Sequence, residues 1–541
     1  MSKVLLSLLE SEGPGLSTEL ARKLEAEHGM SPEAARKCVS RGCVGMKRLS
    51  YLPFPRNARF VYLQKDFGSF EYWRALIDAL CTHTVAYGAA LIALSFRGGL
   101  VPKSHFYIAC GSPLLQKGHV AADAILQRLV KANVLRLMDV PGLGECVALE
   151  QEVNRQEPNY SALRARLITE EILLKAVRNW LRNLGMASYD LVAIRDEKPI
   201  PPKVGTFAWD LSAPSYLAPM VDRRKGERTK PGFVACDVLL AADLPKEVVG
   251  TFIRKCNTLR SLKRVGRCLQ FFIAESYAPD ALRVLKEEGI VPATPGSLFG
   301  EDVAKGLKQL TEALTNAARA SENPKIVDEL FKRLSSIEGA DTNLRGALFE
   351  FVVAGLVRLA IGGAQVSMNK VVKTIDGERA EADVMVVSPG RSVTFIECKG
   401  YQPASIVDDA EVERWLKKQI PTLKKWVLEH QDLSHLHLRF EFWATGKFTE
   451  EGLAALKEAS ENTKKYQIQY RDAEGVLTFA KEVNDSSLLG TLKEHFLEHP
   501  MVTAEKAIAR EEKRAAARAQ WNAENPPAEP QFAALNANDL F

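Results

Sequence analysis

The stretch VTFIECKG, residues 393–400, places Glu397 and Lys399 two positions apart at the end of an apolar run. In an extended strand successive side chains alternate, so these two charges share one face while Ile396 and Cys398 share the other. The preceding VTFI is apolar on both faces, the pattern of a central strand covered by helices on each side. Charges at such a place must be paired, hydrated or metal-bound, because an isolated buried charge costs too much.

Upstream, GERAEADVMVVS (377–388) reads as a neighbouring strand in which Asp383 comes just before the apolar stretch Val384 to Val387. Glu381 lies two residues earlier on the same face and is its rival. Further back, NLRGALFEFVVAGLVRLAIGG (343–363) reads as a helix apolar nearly all round, with Glu350 set between Phe349 and Phe351. Its i±4 neighbours are Gly346 and Ala354, so no ion pair along the helix offsets its burial. Glu350 needs a partner from elsewhere in the fold.

Glu350 on a helix, Asp383 on one strand, and Glu397 with Lys399 on the next together resemble the order of the PD-(D/E)XK, or restriction-endonuclease-like, nuclease superfamily over roughly residues 340–460. Ala382 stands where the superfamily name has Pro. The resemblance implies that Asp383, Glu397 and the backbone carbonyl of Cys398 offer hard oxygen ligands to Mg²⁺ or Mn²⁺, with Glu350 completing the site. It implies that Lys399 orients or helps deprotonate a water beside the metal and neutralises charge on the phosphate. Gln419, in WLKKQIPTLKKW (415–426), is an auxiliary candidate; the plain alternative is a solvated helix whose Trp415 and Trp426 pack inward. The plain alternative for the acidic set is a buried ion-pair network, which apolar residues of similar size would generally match for stability.

A second α/β segment precedes this one. FVACDVLL (233–240) and the helices and strands after it follow the same strand, helix, strand, helix order, and EEILLKAVRNWLRNLG (170–185) corresponds to the Glu350 helix. Aligned by apolar pattern, Ala235 falls at Glu397, Asp237 at Lys399 and Lys175 at Glu350, which predicts a degenerate repeat unable to assemble the same site. Its helix RKCNTLRSLKRVGR (254–267) holds Arg254, Lys255, Arg260, Lys263, Arg264 and Arg267 with no acid, either a phosphate-binding platform or a charged solvent face.

The first sixty residues read as three helices and a hairpin, the pattern of a winged helix-turn-helix, with Ser31 as N-cap and Pro32 at the first helical position. That reading turns Arg36, Lys37 and Arg41 toward a groove and Lys47, Arg48, Arg56 and Arg59 toward phosphates; a small interaction domain with a basic face is the alternative. A second copy follows through ALIALSFRGG, PKSHFYIACG, HVAADAILQRLVKANVL and a strand pair around PGLGECVAL, poorer in basic residues and so read as structural or dimerising.

Composition bounds the rest. A chain of 541 residues exceeds one ordinary core. Net charge of +5 permits a nucleic-acid partner without demanding one. Nine cysteines with no C-x-x-C spacing fit a reduced, cytoplasmic setting. The N-terminus reads as an amphipathic helix, not a signal peptide, and Glu350 and Arg358 interrupt the longest apolar segment short of a membrane span. The final NDLF, with Leu540 and Phe541, resembles the short peptides by which bacterial proteins dock on the replication sliding clamp. No Walker-type loop is present, so ATP-driven translocation would come from a partner ATPase or helicase subunit.

The expected architecture is therefore mixed and multidomain: winged helices at 1–68 and 69–158, a degenerate α/β repeat at 159–320, the nuclease-like domain at 321–495, and a charged helix and tail at 496–541. The expected activity is metal-dependent DNA hydrolysis with no membrane partner, with a homodimer as the oligomer considered, in a setting of anti-phage or anti-plasmid defence by analogy. A non-catalytic DNA-binding scaffold and an RNA-cleaving nuclease are the competing readings.

Overall fold

A computed structural model describes residues 2–150, 160–221, 230–263, 265–317, 325–334, 341–403 and 405–497. The charged segment 503–525, Arg264, Leu540 and Phe541 lie outside the described residues. The chain is mixed α/β with several separate sheets. Among the described residues no helix is long and apolar enough to cross a membrane. All nine cysteines are free thiols.

The 393–400 stretch forms the strand Ser392–Lys399, third of five in a sheet ordered Gln365–Lys373, Arg379–Ser388, Ser392–Lys399, His437–Ala444, Gln467–Arg471. The first three run antiparallel through tight turns, at which Gly377 and Gly390 take positive φ. The last two are parallel and need crossover helices, supplied by the helical segment 409–429 and by Glu450–Asn462. Ile396 and Cys398 pack with Leu348, Phe349 and Val352 of the helix Asp341–Ala360. Val393 and Phe395 pack on the opposite face with Trp415, Leu423 and Trp426. Both faces of the central strand are therefore covered, as its two-sided apolar pattern requires.

The preceding α/β segment repeats this topology. Its sheet runs Ala193–Ile194, Leu211–Ser215, Gly232–Leu239, Cys268–Ala274, Val291–Ala293, again two antiparallel pairings followed by two parallel ones. The helix Tyr160–Asn183 stands where Asp341–Ala360 stands in the second copy. One apolar cluster holds Leu173, Val177 and Val238 together with Leu348, Phe351 and Val384, so the two repeats share a core.

The N-terminal region is doubled as well. Each unit has the order helix, strand, helix, helix, strand, strand, and each three-stranded sheet places its third strand centrally. Ser31 caps the helix Pro32–Arg41 by accepting from the Ala34 N–H. The short strands Gly15–Leu16 and Leu100–Pro102 were not legible, since a strand of two or three residues has no periodicity to read. The helix Phe70–His83 joins the units, burying Tyr72, Trp73 and Leu76 among residues of both.

The shared core makes a prediction. Phe351→Ala, at a position 2% exposed, should cost about 3–5 kcal/mol. Hydrogen exchange should quicken in the strands 232–239 and 392–399 together; loss of protection in the second sheet alone would separate the two cores.

Candidate active site

The register of the second sheet brings the predicted acids together. Val384 pairs with Ile396, so Asp383 stands opposite Glu397 on one face, with Lys399 two residues beyond. Asp383 Oδ2 accepts the Cys398 N–H at 2.8 Å, which fixes the carboxylate across the two strands. Lys399 Nζ lies 3.0 Å from Glu397 Oε1 and 3.8 Å from Glu411 Oε2. Glu350 arrives from the helix Asp341–Ala360, and Glu350, Asp383 and Glu397 are 3%, 7% and 5% exposed.

The partner that Glu350 lacks on its own helix is Arg164, from the helix Tyr160–Asn183 of the first repeat. Its Nη2 lies 2.8 Å from Glu350 Oε1, and its Nη1 lies 2.6 Å from Glu381 Oε1 and 3.8 Å from Asp383 Oδ1. Asn369 Oδ1 accepts from the same Nη1. Asn369 has φ +51 inside the strand Gln365–Lys373, where pairing passes from Met368↔Val384 to Lys370↔Ala382 and skips the position facing Asp383. A left-handed residue in mid-strand is costly for anything but Gly, Asn or Asp, and here it sits at the acid cluster. Sequence reading missed Arg164 and Asn369; the unpaired Glu350 signalled that such a partner exists, but not where it lies.

Four carboxylates thus meet two cations. Burial pushes Glu350 up to about 8, and Asp383 and Glu381 add to the rise against the opposing pull of Arg164. Burial likewise pushes Glu397 up to about 7, reinforced by Asp383, and raises Glu381. For Lys399 and Arg164 burial favours the neutral form, but the surrounding carboxylates outweigh it and hold both groups charged. The cluster holds more acids than its own cations can neutralise, so burial and mutual repulsion favour the protonated form in three of the four.

Among the described residues no three His, Cys, Asp or Glu side chains surround a common point at metal-ligand spacing. The Arg164 guanidinium stands between Glu350, Glu381 and Asp383. The donor set still fits a hard divalent cation in its chemistry, being all carboxyl oxygen, and such a cation would replace the protons that burial favours.

Above these acids opens a cleft of about 820 Å³. Its walls come from the hairpin residues 139–144 of the second N-terminal unit and from Arg414, Lys417, Lys418 and Gln419. Gln419 ends a turn of π-helix, Trp415–Gln419, and Pro421 follows it. Proline removes an N–H and clashes with the carbonyl four residues back, and the widened turn absorbs both effects. Gln419 Oε1 is buried with no hydrogen-bond partner. Trp415 and Trp426 are core residues.

The first repeat departs from the apolar-pattern alignment. Leu211 pairs with Cys236, which sets Asp210 opposite Asp237 as Asp383 is set opposite Glu397. Asp210 Oδ2 accepts the Val238 N–H at 2.7 Å, the counterpart of the Asp383 bond to Cys398. Asp237 is therefore the structural equivalent of Glu397, not of Lys399. Buried Glu170, not Lys175, takes the place of Glu350; Lys175 pairs with its own neighbour Glu171. The expected loss of acids does not hold: the carboxylates are present, and what differs is their neutralisation and cover.

Arg195 bridges Glu170 at 2.6 Å and Asp210 at 2.7 Å, and outweighs burial to hold both below the usual carboxylate range. Lys255 Nζ lies 2.5 Å from Asp237 Oδ2 and 3.9 Å from the Trp209 ring centroid, and donates to the Ile108 carbonyl. The helix Lys103–Ala109 roofs this cluster, and the cavity left beside it is about 10 Å³, room for a single water at most.

This burial removes Lys255 from any nucleic-acid surface. Arg254 is half-buried and donates to the Cys110 carbonyl, Arg260 to Glu288 and Gly289, and Arg267 to Pro219. Lys263 is exposed. The basic helix is spent largely on holding the fold, because counting its charges did not say which face turned inward. In the first N-terminal unit Arg36, Lys37, Arg41, Lys47, Arg48, Arg56 and Arg59 are all exposed, although Arg48 also ties down the Val39 and Ser40 carbonyls.

No protein-family profile, curated protein or solved structure matches the chain.

The raised carboxyls set a pH dependence. A group whose folded pKa lies above its unfolded value stabilises the fold below the unfolded value, and that contribution is lost as pH rises through the folded one. For Glu350 the loss runs from the ordinary carboxylate range to about 8. Urea denaturation should show wild-type stability falling across this window and Glu350→Gln falling less steeply. Parallel slopes for the two proteins would contradict the assignment.

Proposed function

We propose that the chain is a metal-dependent nuclease of the restriction-endonuclease-like kind that hydrolyses phosphodiester bonds in DNA. One observation carries the reading: Asp383 and Glu397 face each other on adjacent strands with Lys399 on Glu397, all three lining a cleft that Arg414, Lys417 and Lys418 also wall, and Glu350 is joined to them through Arg164. Asp383, Glu397, Glu350 and the Cys398 carbonyl would hold Mg²⁺ or Mn²⁺. Bound there, the metal supplies Lewis-acid polarisation of a phosphoryl oxygen and acidifies a water.

The chain's own residues divide the remaining work. The carboxylates hold Lys399 charged, so it serves as a donor, not as a base. Glu397 takes one of its three N–H groups, which leaves others for a phosphate oxygen. Arg414, Lys417 and Lys418 on the rim neutralise the approaching backbone. The two N-terminal units are read as tandem winged helices, with the exposed basic residues of the first on the phosphates of flanking DNA. The first α/β repeat acts as scaffold and lends Arg164 to the site of the second.

The test is cleavage of labelled DNA and RNA by the full chain with Mg²⁺, Mn²⁺ or EDTA. Cleavage should require the metal, and Asp383→Asn and Lys399→Ala should each lose at least about a hundredfold in rate. Both variants should keep the wild-type circular dichroism spectrum. Cleavage that persists in EDTA, or in Lys399→Ala at the wild-type rate, would refute the assignment.

A further inference from the structure

The hairpin that walls the cleft belongs to the second N-terminal unit, whose sequence reads as structural. Its strands, Leu135–Val140 and Gly144–Leu149, meet through Pro141, Gly142 and Leu143. The tip is pinned over the acids. Arg379 Nη1 donates to the Asp139 carbonyl at 3.2 Å, and a methyl group built on Gly142 would lie 3.6 Å from Glu381 Oε2. Glu381 is itself tied to Arg164 among the acids. Among the described residues, this tip and the Arg414 to Gln419 segment wall the cleft in which Asp383, Glu397 and Lys399 lie.

We infer that this passage admits one polynucleotide strand and excludes a stacked duplex, making the 139–144 hairpin the device that selects single-stranded or splayed nucleic acid. The inference rests on the nuclease reading above and adds the substrate class to it. A volume of about 820 Å³ falls in the range that encloses a drug-sized ligand, which is the scale of a few unstacked nucleotides. A duplex laid over Lys399 would run into the pinned tip. The walls also suit a lone strand: the exposed Lys417 and Lys418 stand where its backbone would run, opposite the hairpin tip. A duplex held by the N-terminal units would then reach the site only as a frayed strand.

The experiment uses the full chain and one sequence prepared as single-stranded DNA, single-stranded RNA, blunt duplex and a fork with single-stranded arms. Single strands and fork arms should be cut at least about tenfold faster than duplex interior, and the DNA and RNA arms tell which sugar is taken. Replacing Pro141–Gly142–Leu143 by the tight turn Asn-Gly should shrink that ratio toward one. A readout independent of cleavage is photocrosslinking of the same strands carrying 4-thiothymidine or 4-thiouridine. The single strand should crosslink within 139–144 or 414–422, and the duplex should not. Duplex cut or crosslinked at the cleft as readily as single strand, or a ratio unmoved by the shortened hairpin, overturns the inference. Crosslinking of single strand without cleavage of any substrate would overturn the nuclease reading and leave the strand-selective cleft standing.

Discussion

Four carboxyls gathered between one sheet and the helix packed on it cannot all be ionised unless cations stand among them. Glu350, Glu381, Asp383 and Glu397 have Arg164 and Lys399 in contact, and burial with mutual repulsion drives three of the four carboxyls toward their protonated forms. Much else answers to that imbalance. The first repeat must pack where Arg164 can reach across the shared core, and Asn369 must take a left-handed backbone beside the cluster. Apolar residues in these positions would serve stability as well or better, so the arrangement is better explained by use than by folding.

The doubled architecture offers an internal comparison. Both α/β repeats set two acids opposite each other on the second and third strands and bring a third from the preceding helix. In the first, Arg195 bridges two of the acids, Lys255 takes the third, and a helix of the N-terminal region roofs the result. In the second, four acids have only Arg164 and Lys399 in contact and lie beside an open cleft. One backbone plan thus yields a roofed ion-pair network and an acid cluster beside an open cleft, and the difference lies in a few side chains and in what covers them.

Much of this was legible in the sequence. The two-sided apolar strand ending at Lys399, the charged positions on its neighbour and the stranded glutamate in an apolar helix each follow from periodicity and burial cost, and they meet in space as expected. Arg164 was not legible, because it lies 186 positions from Glu350 and nothing local marks it. The first repeat was misaligned because matching apolar runs does not fix register: the hydrogen bond from Val238 to Asp210 does, and it moves Asp237 onto the position of Glu397. Lys255 was misplaced for a related reason, since a helix rich in basic residues still has an inward face, and Asp237 and Trp209 wait there.

The central claim is that the acid cluster of the second repeat is a site for a divalent cation and that of the first is not. Electron paramagnetic resonance of Mn²⁺ titrated into the full chain addresses it most directly, because bound Mn²⁺ loses the free-ion signal whether or not a substrate is known. The account predicts binding that is lost in Asp383→Asn and Glu397→Gln and kept in Asp210→Asn. Binding that survives Asp383→Asn, or that disappears with Asp210→Asn in a folded protein, would contradict it.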